Sequence, residues 1–111
     1  MPFLSESAHL MAIVLSPAGI ITSVSGSAEQ FTGYSAHELT GLPVACILAE
    51  ETAAEIHGIL RNAREWGSWA GEMTHRDRSG NSLPARATVT LLAGRDNHCA
   101  GFMLLSIVGH K

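Results

Sequence analysis

The sequence predicts an α+β fold: a five-stranded antiparallel sheet with helices packed on one face. Three observations carry this. Two apolar, branched runs flank a tight turn near the start of the chain. Capping signals cluster in the middle. Three β-patterned segments separated by turn residues close the chain.

The first pair is His9–Ser16 (HLMAIVLS) and Ile20–Ser25 (IITSVS), joined by Pro17-Ala18-Gly19. The first run is nearly continuous in apolar residues, as in a strand covered on both faces. Proline followed by glycine sets the turn, so residues 9–25 form a strand hairpin.

Residues 26–66 form the helical segment. Ser27 precedes Gln30, Ser35 precedes Glu38 and Thr52 precedes Glu55, three capping boxes that predict three helix starts. The first helix ends near Thr32-Gly33. The second runs from Ala36 to Thr40 and stops at Gly41, with a loose turn over Leu42–Leu48. The third and longest covers about residues 53–66 and ends at Gly67. Ala53, Ile56, Leu60 and Ala63 form its apolar stripe, and the spacing sets His57 on the same stripe.

Residues 69–108 form a three-strand meander. Trp69–Arg76 is its first strand and Ser79-Gly80-Asn81 the turn. Leu83, Ala85, Ala87, Val89 and Leu91 then alternate with Arg86, Thr88 and Thr90, the pattern of a half-buried strand. Ala93–Asn97 turns the chain into the apolar strand Ala100–Val108.

Composition bounds the rest. The chain has 111 residues, 46% apolar and 15% charged, which predicts one domain over residues 1–111 with a compact, soluble core. No apolar run reaches the length of a membrane span, about 18 residues, and Met1–Glu6 lacks the features of a signal peptide. A cytoplasmic location is expected. Residues 1–58 hold no Lys or Arg but six glutamates, which speaks against direct nucleic-acid binding. Cys46 and Cys99 are far apart and read as packed core residues rather than a disulfide or metal pair. The six histidines form no HxH or HxxxH cluster, so no metal site is predicted. No nucleophile–base set, phosphate loop or paired-acid motif appears, and no enzymatic activity is expected.

Two blocks resemble the PAS family. Ser27-Ala28-Glu29-Gln30-Phe31-Thr32-Gly33-Tyr34-Ser35, followed by Glu38-Leu39-Thr40-Gly41, is similar to its A-E-x-x-T-G-Y-S-x-x-E-L-x-G signature. Trp69-Ala70-Gly71-Glu72, with Arg76 and Ser79-Gly80, resembles W-x-G-E-x-x-x-R-x-x-x-G. The resemblance spans nearly the whole chain. It implies a PAS fold and a sensory domain of a signal-transduction or transcriptional regulator, with an effector domain such as a histidine kinase in the parent protein. It also implies a salt bridge between Glu38 and Arg78. Two positions depart from the family: Ser25 stands where Asn is common, and Ile107-Val108-Gly109-His110 replaces the C-terminal D-I-T.

The same resemblance implies a pocket between sheet and helices for a small apolar ligand, the default expectation. Its lining would come from Ile13, Phe31, Ile47, Ile56, His57, Leu60, Trp69, Val89, Phe102 and Leu104. A haem would use His57 as proximal ligand, spaced from Ile47-Leu48 as in haem-binding members, although Gly71 stands where those carry a distal Arg. A non-covalent flavin agrees with Trp69-Ala70-Gly71. A flavin–cysteine adduct does not fit, because Val44 holds the reactive position and Cys46 comes two residues late. The alternative is a ligand-free interaction module. The first and last strands are apolar on both faces, so the outer sheet face is open to homodimerisation, with Phe3 and Leu4 in residues 1–8 as the remnant of an N-terminal cap.

Overall fold

The computed structural model describes residues 9–109; the N-terminal cap expected over residues 1–8 lies outside them. The chain runs β1 (His9–Leu15), β2 (Ile21–Val24), α1 (Gly26–Thr32), α2 (Ala36–Leu39), a 3-10 turn (Val44–Ile47), α3 (Glu50–Trp66), β3 (Ser68–Arg76), β4 (Ser82–Ala93), a 3-10 turn (Arg95–Asn97) and β5 (Cys99–Val108). The five strands form one antiparallel sheet in the order β2-β1-β5-β4-β3, so the two terminal strands pair at its centre.

Side-chain alternation sorts the sheet into two faces. Met11, Ile13 and Leu15 of β1, Phe102 and Leu104 of β5, Ala85, Ala87 and Val89 of β4 and Met73 of β3 are buried on the inner face. Register aligns them across strands: Ile13 opposes Leu104, Leu15 opposes Phe102, and Val89 opposes Leu104. The helical segment closes over this layer with Ala28, Leu39, Val44, Ile47, Leu48, Ile56, Ile59, Leu60 and Ala63, giving one apolar cluster.

Each sheet edge is capped at one point, which shortens the open edge left to pair with another chain. On the β2 side, Ile21 donates to the Leu42 carbonyl and accepts from the Gly41 amide. On the β3 side, the Ala49 amide donates to the Thr74 carbonyl, and the Thr74 amide donates to Thr52 Oγ1 at 3.0 Å.

That last bond corrects one expected cap. Thr52 lies inside α3, which begins at Glu50 after the N-cap Ala49, because its hydroxyl is engaged by the sheet edge. Ser27 is likewise no cap: α1 begins at Gly26, and the Ser27 hydroxyl donates to the Leu10 carbonyl. The box at Ser35 and Glu38 forms in full. Gly33 then ends α1 in the left-handed region at φ 79°, which glycine adopts without a Cβ clash.

Candidate functional site

The expected pocket residues separate into three groups. Ile13, Ile47, Ile56, Leu60, Val89, Phe102 and Leu104 are all buried and meet in the single core between sheet and helices. Phe31 and Trp69 are half-buried against it. His57 is the correction: its side chain is exposed. The buried stripe of α3 is Thr52, Ile56, Ile59, Leu60 and Ala63, and a residue one position beyond Ile56 is turned about 100° from it. A haem held between sheet and helices would need a ligand on that stripe. Cys46 also departs from expectation. It is exposed on the 3-10 turn, whose buried residues are Val44 and Ile47.

Trp69 and Gly71 share the inner face of β3, two residues apart. A Cβ on Gly71 would lie 2.6 Å from Cζ2 and 2.8 Å from Cη2 of the Trp69 indole. The indole therefore lies along the strand over Gly71, which gives the W-x-G spacing a packing reason. Gly71→Val is expected to drive the indole off the sheet. In a Trp66→Phe background, which removes the 77%-exposed second tryptophan, the emission of Trp69 would shift to the red and become more open to quenching.

One polar group enters the chamber that the sequence reading did not single out. His75, on the inner face of β3, is fully buried, as is Ser106 on β5. The imidazole reaches across β4, where the small Ala85 and Ala87 leave room. Its Nε2 lies 2.8 Å from Ser106 Oγ and its Nδ1 3.2 Å from the Ile47 carbonyl oxygen. A carbonyl only accepts, so Nδ1 carries the proton and Nε2 accepts from the Ser106 hydroxyl. Burial pushes the imidazole pKa below its ordinary value. The neutral ring thus ties the sheet to the segment leading into α3.

The expected Glu38–Arg78 pair is present just beyond the end of β3. Arg78 holds Glu38 in a two-pronged contact, Nη1 to Oε1 at 3.0 Å and Nη2 to Oε2 at 3.1 Å. The same guanidinium lies 4.9 Å from the Tyr34 ring centroid and donates to the Gly33 carbonyl. The Arg78 hydrogen bond, then the Ser35 amide, holds the Glu38 carboxyl below its usual range. Both side chains are exposed, so the pair orients the β3–β4 turn against α1 and α2 more than it adds stability.

The outer face is the reverse of the core. Leu10 and Ile107 are direct cross-strand partners and are 51% and 50% exposed. Ala12, Val14, Met103 and Leu105 continue the apolar strip along β1 and β5, whereas β4 presents Arg86, Thr88 and Thr90. Two shallow clefts open here, of about 250 and 310 Å³, and both touch Arg86 and Ile107. Among the described residues, no group of three or more His, Cys, Asp or Glu is placed to hold a metal ion, and no helix is long and apolar enough to cross a membrane.

A central pairing of the terminal strands and helices confined to one face define an α+β domain built on a single antiparallel sheet. A family model described as PAS domain matches residues 10–106. The chain belongs to the PAS domain family, whose members are sensory and signalling modules. The crystal structure of the PAS domain of a protein from Colwellia psychrerythraea superimposes with a TM-score of 0.81 at 20% identity, covering 88% of this chain and 84% of that one. At that identity the likeness is one of fold. No curated protein matches the chain.

Proposed function

We propose that this PAS domain signals by homodimerising through the outer face of its sheet. The observation that carries this reading is the apolar strip centred on Leu10 and Ile107, left half exposed by a chain whose other large apolar strand residues are mostly covered. Covering such a side chain is worth about 1.5–3 kcal/mol, and a twofold arrangement would bury the strip of one copy against that of the other. The inner face supports the same reading. Seven of the residues expected to line a ligand pocket are packed against one another there. A ligand between sheet and helices would have to displace them.

The test is sedimentation velocity over a wide concentration range. The wild-type chain is expected to sediment as a dimer at micromolar concentration. Ile107→Lys, which places a charge in the strip without touching the core, should sediment as a folded monomer. A wild-type chain that stays monomeric throughout would remove the proposal.

A further inference from the structure

Away from the outer sheet face, a third cleft of about 330 Å³ lies between the C-terminal half of α3 and the β1–β2 turn. It is lined by Pro17, Ala18, His57, Leu60, Arg61 and Arg64. Two of the chain's seven Lys and Arg residues and a histidine thus open onto one cleft, and no carboxylate lines it.

Their hydrogen-bonding capacity is largely free. Arg61 is exposed and its side chain makes no hydrogen bond or ion pair among the described residues; Glu65, four residues on, does not pair with it. Arg64 commits one nitrogen to the Pro17 carbonyl at 3.4 Å, and its guanidinium sits 5.9 Å from the Phe102 ring centroid. The negative end of the helix dipole favours cations in the last turn of a helix. It does not account for His57, more than two turns before the helix end, facing the same opening.

We infer that this cleft binds the phosphoryl group of a small molecule. Two guanidinium forks and an imidazole can share the oxygens of a doubly charged tetrahedral anion, the geometry in which arginine outperforms lysine. Pro17, Ala18 and Leu60 supply an apolar wall for the remainder of the ligand, and the volume exceeds what a phosphate alone would fill. The site also touches the core. Leu60 packs against the Gly19 backbone and Arg64 covers Phe102, so a bound anion would fasten α3 to the β1–β2 turn.

The experiment is an NMR titration of the intact chain with pyrophosphate at constant ionic strength, with malonate as a carboxylate arm. Saturable shifts are expected at Ala18, His57, Leu60 and Arg61, with malonate far weaker. Arg61→Gln, a substitution at an exposed position that should leave the melting temperature unchanged, is expected to weaken pyrophosphate binding about tenfold. Non-saturating shifts, equal binding of malonate, or wild-type affinity in Arg61→Gln would each overturn the assignment.

Discussion

Gly101→Ala is expected to cost more than about 3 kcal/mol of folding stability, the largest effect among the chain's glycine-to-alanine changes, since an added Cβ meets its nearest neighbour most closely there. Gly101 has φ 142°, a backbone conformation that residues with a side chain rarely adopt, and a Cβ there would fall 2.2 Å from the Leu15 carbonyl oxygen. Neither obstacle is the flexible end of a side chain. Relief requires β5 to move from β1 just where Phe102, fully buried, opposes Leu15. The adjoining register shift between Leu92 and Ala93 of β4 marks the same point as one where the ladder bends. Urea denaturation should give a sharply lowered midpoint or no folded baseline. Gly58→Ala is the matched control: it lies within α3 with nothing within 4 Å of the added carbon, and a gain of about 0.5–1 kcal/mol is expected.

The second large effect belongs to His75. His75→Leu keeps much of the volume but leaves the Ile47 carbonyl and the Ser106 hydroxyl without their partner in a buried setting, a loss of about 2–4 kcal/mol. The wild-type chain should also be acid-sensitive through this residue. Desolvation sets the folded pKa below the ordinary value of 6.5, so between the two values the unfolded chain holds more protons. Stability therefore rises with pH in that window. The contribution is complete above the unfolded pKa and is lost as pH falls toward and through the folded one, at no more than about 1.4 kcal/mol per pH unit. Denaturant midpoints from about pH 7.5 down to about pH 5 should fall more steeply for the wild type than for His75→Leu. Parallel slopes would show that the imidazole does not titrate with folding.

Much of this was legible from residues. Every strand and helix was foreseen within a few residues, because the branched runs of β1 and β5, the alternation in β4 and the glycines at 33 and 67 are local signals. What failed was decided by distant partners. Thr52 carries a capping pattern, yet its hydroxyl is taken by the Thr74 amide, 22 residues away, so α3 starts earlier than its box implies. His57 satisfies three- and four-residue spacing from Ala53 and Leu60 but sits on the solvent flank of the helix, because the sheet lies against Ile56 and Ile59. His75 could have been found by parity alone. It continues the inward alternation of Trp69, Gly71 and Met73 along β3, a pattern that places a histidine in the core. The Glu38–Arg78 pair came from family resemblance, since no local rule links residues 40 positions apart.

A native mass spectrum of the freshly purified chain bears most directly on the central claim, that the inner chamber is filled by the protein itself while the outer sheet face seeks a second copy. Twice the chain mass with nothing added is the predicted result. A single chain carrying the extra mass of a haem, a flavin or an apolar metabolite would contradict it.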